Sequence, residues 1–142
     1  MVQRSIFPSR NIVWFSCGVA SAVALKLMVE SGKHVTAVYN DLSRDEHPDN
    51  RRFMRDVEQW TGVTVSVIGS KEFSSVEEVF ERHRYMSGPH GARCTVEMKK
   101  VPRFNFQWPD DVHVFGFTAD ERRRIETFQA NNPELLTDLP LL

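Results

Sequence analysis

The stretch NIVWFSCGVASAVALKLMVE, residues 11–30, decides the fold that we predict for this chain. Residues 11–15 form an apolar run typical of a buried strand, and residues 22–30 have the composition of a helix. The turn between them, residues 16–21, contains one glycine and two serines and opens directly on the helix N-terminus. Free backbone N–H groups and the positive end of the helix dipole meet at such a turn. The turn therefore predicts a binding site for an anion such as a nucleotide phosphate.

The rest of the chain alternates predicted strands with predicted helices. The predicted strands lie near residues 11–15, 34–39, 63–68 and 112–117. Amphipathic or strongly helical segments separate them, and a last helix is predicted over residues 119–131. This alternation predicts an α/β fold, a Rossmann-like, doubly wound parallel sheet with the strand order 3-2-1-4, right-handed crossovers and helices on both faces.

Polar residues and one proline mark the expected ends of the helices. The expected N-terminal caps are Asp49 for the second helix, Ser74 or Ser75 for the third and Thr118 for the last. A short helical segment is expected over residues 94–100, where Pro102 would end it. Residues 85–92 are expected to form an irregular loop.

Length and composition indicate one globular domain. The chain has 142 residues, of which 41% are hydrophobic and 26% are charged, enough for a single buried core over residues 1–142. The formal net charge of −1 supplies no general attraction to nucleic acid. Since no apolar run approaches ~18 residues, no membrane span is expected. We therefore expect a cytoplasmic protein without a membrane partner, and the composition does not support a nucleic-acid partner.

The two cysteines and the C-terminus suggest further properties. Cys17 and Cys94 lie far apart without a Cys-x-x-Cys pair, as is typical of a reducing compartment. The five histidines show no metal-ligand spacing, and no metal site is predicted from them. The Leu-rich ending, residues 133–142, indicates a segment packed on the sheet, a homodimer interface, or a chain shortened at this end.

The 16–21 turn and two later segments together resemble a known family. Ser-x-Gly-x-x-Ser after a first strand resembles the pyrophosphate loop (PP-loop) of the adenine-nucleotide alpha-hydrolase superfamily, whose usual form is Ser-Gly-Gly-x-Asp-Ser. Residues 116–124 resemble the Gly-x-x-x-(Asp/Glu)-(Glu/Ser)-x-x-Arg signature of phosphoadenosine phosphosulfate (PAPS) reductases, and residues 94–102 resemble the Cys-x-x-x-x-Lys-x-x-Pro region of their phage- and prophage-type relatives. The chain is thus similar to PAPS reductases from residue 13 to about residue 128.

The resemblance implies a nucleotide site built from several loops. The residues that it implies for nucleotide binding are Ser16, Cys17, Gly18, Val19, Ala20, Ser21, Tyr39, Asn40, Gly116, Arg122 and Arg124. The 16–21 loop would hold the phosphates, and the backbone at Tyr39 and Asn40 would recognise adenine. Gly116 would allow a close approach beside the nucleotide, and Arg122 or Arg124 would bind phosphate or sulfate. Alternatively, these arginines form a solvated helix face, with pairs such as Glu121–Arg124 or Glu126–Arg122.

The implied chemistry involves an acid and a thiol. In the family pattern, an aspartate at the Ala20 position is associated with Mg²⁺, so that Asp41 or Asp45 would have to supply the missing carboxylate. Cys17 occupies a position that favours glycine, where a positive φ would cost about 1 kcal/mol or more. Cys94 is the candidate nucleophile, and the anion-binding candidates Arg93, Lys99 and Lys100 would favour its thiolate.

Three functions remain open at this point. In the first, the protein binds ATP or another adenine nucleotide, cleaves ATP between the α and β phosphates, and adenylates an acceptor substrate while releasing pyrophosphate. In the second, it is a PAPS reductase that uses Cys94, although no Glu-Cys-Gly-x-x-Cys motif follows residue 131. In the third, it is a nucleotide-binding or interaction module without catalysis, as the absence of the loop aspartate favours.

Overall fold

The computed structural model describes residues 9–41, 47–72, 75–84, 87–88, 91–92 and 96–142. The strands of this part are β1 (Asn11–Phe15), β2 (Val35–Asn40), β3 (Val65–Ile68), β4 (Ser87–Gly88), β5 (Gly91–Ala92), β6 (Val112–Val114) and β7 (Leu136–Asp138). The α-helices are α1 (Val19–Glu30), α2 (Asn50–Thr61), α3 (Val76–His83), α4 (Val101–Phe106) and α5 (Arg122–Asn131). A π-helical turn, Val96–Lys100, precedes α4, and a 3₁₀ turn, Ala119–Glu121, precedes α5.

The main sheet has five parallel strands in the order β3-β2-β1-β6-β7. In the central register Val13 lies between Ala37 of β2 and Val114 of β6. The predicted α/β class and the order 3-2-1-4 are confirmed, with β6 as the fourth strand. The fifth strand, β7, was not predicted because it has only three residues and lies between two prolines, Pro133 and Pro140. One of the expectations for the Leu-rich C-terminus, a segment packed on the sheet, is thus met at β7.

The two faces of the sheet bury alternate residues of β1. Val13 and Phe15 belong to a core that includes Leu25 and Met28 of α1 and Val57 of α2. On the opposite face the Trp14 ring lies 6.1 Å from the ring of Phe106, a residue of α4. Since successive side chains of a strand point to opposite faces, helices cover both sides, as predicted.

Some of the predicted helix ends are confirmed and others differ. Ser75 caps α3 as expected, accepting a hydrogen bond from the Glu78 N–H at 3.2 Å. Asp49 occupies the cap position of α2, but its backbone is helical and its carboxylate pairs with Arg52 at 2.7 Å instead of capping. Pro102 does not end a helix. It lies in the first turn of α4, where a missing N–H costs nothing.

The last predicted strand and the predicted 85–92 loop also differ. The predicted fourth strand, which is β6 of the structure, ends at Val114 rather than at residue 117. Beyond it, the Phe115 N–H donates to the Asp138 carbonyl at 3.2 Å. Within residues 85–92, β4 and β5 form a two-residue antiparallel ladder.

Among the described residues, no helix has the length and apolar character needed to cross a bilayer.

Candidate functional site

The 16–21 loop connects β1 to α1 through a sharp backbone turn. Cys17 has a φ of 60°, the left-handed conformation that favours glycine, and Gly18 returns to an extended conformation with a φ of −102°. The expected positive φ at Cys17 is therefore present, at a cost of about 1–2 kcal/mol for a non-glycine residue. This conformation turns the chain from the strand into the helix within two residues.

The Ser21 hydroxyl holds the loop closed. Ser21 is 4% exposed, and its Oγ accepts a hydrogen bond from the Ser16 N–H at 3.1 Å and donates one to the Gly18 carbonyl at 2.9 Å. The Ser16 Oγ donates to the Ser21 Oγ at 3.2 Å. Both serine hydroxyls thus form hydrogen bonds within the loop and fix its shape.

The backbone at the start of α1 remains available to a ligand. Gly18 is the cap residue and offers no side-chain acceptor, and the first turn contains no acidic residue. The first intrahelical hydrogen bond runs from the Ala22 N–H to the Gly18 carbonyl at 3.1 Å. By helix geometry, the N–H groups of Val19, Ala20 and Ser21 therefore have no intrahelical acceptor. The positive end of the helix dipole is not neutralised within its own first turn.

Gly116 packs directly against this loop. A Cβ at Gly116 would lie 2.7 Å from the Ser21 nitrogen and 2.9 Å from the Ala20 carbonyl oxygen, closer than van der Waals contact allows. The chain after β6 can therefore cross the start of α1 only where a side chain is absent. The close approach expected at Gly116 is made to the loop backbone itself.

A cavity of about 650 Å³ opens at this carboxyl end of the sheet, a volume typical of small-molecule sites. The predicted site residues that line it are Ser16, Gly18, Ala20, Ser21, Tyr39, Asn40, Lys99, Lys100, Gly116 and Arg124. Segments that are distant in the sequence thus meet at one site, in the position expected for a doubly wound sheet.

Four predicted residues do not line the cavity. Val19 is 73% exposed, and the Cys17 thiol donates to the Asn50 carbonyl at an Sγ–O distance of 3.7 Å. Arg122 lies outside the cavity. It precedes Arg124 by two residues of α5, so that the two side chains are about 200° apart around the helix axis. Asp41 accepts a hydrogen bond from Arg51 at 2.5 Å.

The remaining predicted residues cannot be compared with the structure. Cys94, Arg93 and Asp45 lie outside the described residues. Within the described ranges, no group of three or more His, Cys, Asp or Glu side chains is arranged to hold a metal ion.

An aromatic wall that was not predicted closes one side of the cavity. It consists of Trp14, Phe115, Phe117 and Phe128. The Phe115 ring lies 5.4 Å from that of Phe117 and 4.8 Å from that of Phe128. The only signal in the sequence was the pair of phenylalanines around Gly116, which we assigned to a buried strand.

A buried histidine holds the Trp14 side chain. The Trp14 Nε1–H donates to the His113 Nδ1 at 3.0 Å, and the two rings stack with centroids 6.0 Å apart. His113 is fully buried, and burial, followed by the charge of Arg103, lowers its pKa. The imidazole is therefore neutral and accepts a hydrogen bond from the indole N–H, which fixes the position of the Trp14 ring in the cavity lining.

The charged side chains of the cavity are mainly cationic. Lys99, Lys100, Arg103 and Arg124 line it together with one carboxylate, that of Glu121. Glu121 accepts from the Thr118 N–H at 2.9 Å, which lowers its pKa, and pairs with Arg124 at 3.0 Å. The alternative expectation of a Glu121–Arg124 pair is therefore met, although Arg124 also lines the cavity. Arg103 was not predicted, and the signal missed was a cation within the otherwise apolar start of α4.

Asn40 joins the end of β2 to the π-helical turn. Its Nδ2 donates to the Lys99 carbonyl at 3.2 Å, which brings the two lysines to the cavity. Its Oδ1 is buried and has no hydrogen-bond donor among the described residues. Asn40, one of the two positions predicted for adenine recognition, thus lines the cavity and has an amide oxygen without a donor among the described residues.

Comparison of the sequence with models of protein families and with curated proteins finds no match.

Proposed function

We propose that the cavity binds an adenine nucleotide, with its phosphates at the 16–21 loop. The observation that carries this proposal is the uncapped N-terminus of α1, which opens on a cavity lined by four cations and one carboxylate. Backbone N–H groups at a helix N-terminus bind phosphate without a cationic side chain of their own. The lysines and Arg124 add long-range attraction for a polyanion.

The polar group beside β2 supports adenine as the base. Asn40 lines the cavity, its buried Oδ1 has no donor among the described residues, and the exocyclic amino group of adenine is a donor of suitable chemistry. Guanine carries a carbonyl acceptor at the corresponding position. ATP should therefore bind at least about tenfold more tightly than GTP, as the loss of one hydrogen bond of about 1.4 kcal/mol implies.

The reaction that we propose for bound ATP is cleavage between the α and β phosphates. An acceptor oxygen would attack the α-phosphorus, the bond from that phosphorus to the bridging oxygen would break, and pyrophosphate would leave with its electron pair. Mg²⁺, which the resemblance implies, does not fit the loop well, because Ala20 offers only a methyl group and Asp41 is paired with Arg51. We therefore assign no step to a metal ion.

The second candidate function is nucleotide binding without turnover. Two observations favour binding without turnover. Ala20 occupies the position of the family's carboxylate, and Asp41, a substitute expected from the sequence, already accepts a hydrogen bond from the Arg51 guanidinium. The PAPS reductase alternative depends on Cys94, which lies outside the described residues.

Calorimetric titration tests the binding proposal. We expect saturable one-to-one binding of ATP, competition by inorganic pyrophosphate, and binding of GTP that is weaker by at least about tenfold. Equal affinity for ATP and GTP would contradict adenine recognition. An absence of ATP binding up to millimolar concentrations would contradict the nucleotide site itself.

Pyrophosphate release separates the two candidate functions. With ATP, Mg²⁺ and candidate acceptors, we expect wild-type release well below ~10 s⁻¹, an ordinary enzyme rate. Ala20→Asp adds a hard oxygen ligand for Mg²⁺ beside the phosphates and should raise Mg²⁺-dependent affinity or release. Wild-type turnover near ~10 s⁻¹ would exclude the binding-only candidate, whereas no release from either protein would exclude the cleavage reaction.

A further inference from the structure

A second cavity shares a wall with the first. It has a volume of about 680 Å³, and the shared wall consists of Lys100, Arg103, Glu121, Arg124 and Phe128. No residue of the 16–21 loop lines this second cavity. The second cavity therefore extends the first away from the loop, and its volume is within the range of a small-molecule site.

Arg103 belongs to the shared wall, and no described carboxylate pairs with its charge. The residue is 9% exposed, and its Nε–H is buried without an acceptor among the described residues. Its one hydrogen bond there, from Nη2 to the Asn132 Oδ1, is long at 3.5 Å. No described carboxylate lies within ion-pair distance, and the rings of Phe104 and Phe128 lie 5.0 Å and 5.4 Å from its Cζ.

A buried cation of this kind requires compensation. Burial lowers the pKa of Arg103, and only the distant charge of Glu134 opposes that shift. Arginine nevertheless stays protonated in proteins, so the guanidinium retains its charge against an apolar surface. Buried charges are stable when they are paired and hydrogen-bonded. The partner of Arg103 can come from a ligand in the cavity that it lines.

We propose that Arg103 and its neighbours in the shared wall bind an oxyanion of the acceptor substrate, of the phosphate monoester class. The second cavity is lined by Lys100, Arg103, Arg123 and Arg124 against Asp120 and Glu121, so that four positive charges minus two negative charges leave an excess of two. A phosphate monoester carries about −1.5 to −2 near pH 7 and matches this excess. The inference rests on the proposed function in one respect, since the acceptor is defined as the reaction partner of the nucleotide.

The test follows the Arg103 Nε–H in ¹H–¹⁵N spectra. Wild-type protein saturated with ATP is titrated with inorganic phosphate, with succinate or with chloride, each at the same ionic strength. We expect a saturable shift of the Arg103 Nε–H with phosphate, a weaker one with succinate and none with chloride. A stronger response to succinate would overturn the phosphate class. A phosphate response that matches chloride would overturn the site.

Two variants with the same loss of charge complete the test. Arg103→Met keeps the aliphatic stem between the two rings and should weaken phosphate binding at least about tenfold, and ATP binding by a clearly smaller factor, because Arg103 also lines the first cavity. Arg55→Met, exposed on α2 and outside both cavities, should change neither affinity by more than twofold. Equal weakening of ATP and phosphate by Arg103→Met would assign Arg103 to the nucleotide site and overturn a separate acceptor site.

The same titration without ATP distinguishes this inference from the proposed function. If ATP does not bind but phosphate still saturates the Arg103 Nε–H, the nucleotide proposal fails and the anion site remains. If ATP binds and phosphate gives no saturable shift, the anion site fails and the nucleotide proposal remains. Because the wild-type spectrum reports on Arg103 directly, neither result depends on the folding of a variant.

Discussion

Arg10 and Arg103 lie at opposite ends of the sheet and differ in how their charges are satisfied. Arg10, at the amino end of β1, donates to both carboxylate oxygens of Asp111 at 2.8 Å and 2.6 Å, and its Cζ lies 3.5 Å from the centroid of the Trp108 ring. Arg103, in the cavity wall at the other end, has one long hydrogen bond and a buried Nε–H without an acceptor among the described residues. The charge of Arg10 is thus satisfied within the protein, whereas no described carboxylate pairs with Arg103, which is what the proposed anion site requires.

The largest expected effect is loss of stability at the amino end. Asp111 is 2% exposed and also accepts from the Trp108 N–H at 2.7 Å, so that Asp111→Ala leaves several donors unpaired. Breaking a buried pair costs about 3–5 kcal/mol, and we expect a value near 3 because Arg10 is partly exposed. Urea unfolding measures this loss. The ATP affinity of the remaining folded protein should not change.

An exposed aspartate is the matched control for that prediction. Asp56 pairs with Arg52 at 2.6 Å on the surface of α2, and Asp56→Ala should cost less than about 1 kcal/mol. Similar losses for the two variants, or a weakened ATP affinity in Asp111→Ala, would contradict the division between the two ends.

The next effect combines stability and binding at Gly116. A Cβ there would lie 2.7 Å from the Ser21 nitrogen, so that Gly116→Ala must displace the loop or the chain after β6. Overpacking of this kind costs about 1–3 kcal/mol. We expect a lower midpoint of thermal unfolding together with a weaker ATP affinity in calorimetry.

Gly18→Ala is the control for steric fit in the same region. Its added Cβ would lie 3.6 Å from the nearest atom, the Ser16 Oγ, and the backbone there has a φ of −102°. Its unfolding midpoint should therefore stay close to that of the wild type. If Gly116→Ala is as stable as Gly18→Ala, the close packing of Gly116 on the loop is not a constraint.

A smaller effect is expected when the loop loses its internal hydrogen bonds. Ser21→Ala removes the acceptor for the Ser16 N–H and the donor to the Gly18 carbonyl. We expect ATP binding to weaken by about 1–2 kcal/mol, because the loop is less well organised around the phosphates. Ser31→Ala, at the opposite end of α1, removes a hydrogen bond to the Met28 carbonyl and should leave ATP affinity unchanged. Equal ATP affinities for the two variants would argue against the loop as the phosphate site.

The smallest expected effect separates two arginines of α5. Arg124 lines the cavity, whereas Arg122 does not, although the resemblance implied either of them for phosphate or sulfate binding. The Arg124 side chain is 73% exposed, so we expect Arg124→Ala to weaken ATP binding only about two- to fivefold at low salt, and less at high salt. Arg122→Ala should change ATP affinity less than Arg124→Ala at every salt concentration. The opposite order would assign the phosphate contact to the other side of the helix.

The sequence predicted the parts of the molecule that follow from periodicity and local geometry. The alternation of strands with helices predicted the sheet order. The turn after β1 predicted the loop, and the cavity at this loop is also lined by Tyr39, Asn40 and Gly116, as predicted. The parts that depend on tertiary contact were not predicted. The buried position of Arg103 and the pairing of Asp41 with Arg51 arise only when separate helices and loops meet.

A titration of ¹⁵N-labelled protein with ATP, followed at the backbone amides, decides whether the phosphates bind at the start of α1. We expect the largest shifts at Val19, Ala20 and Ser21, while Asn11 and Val112, at the amino ends of β1 and β6, do not shift. Shifts concentrated at the amino end of the sheet, or no shift at the start of α1 at saturating ATP, would contradict a phosphate site at this loop.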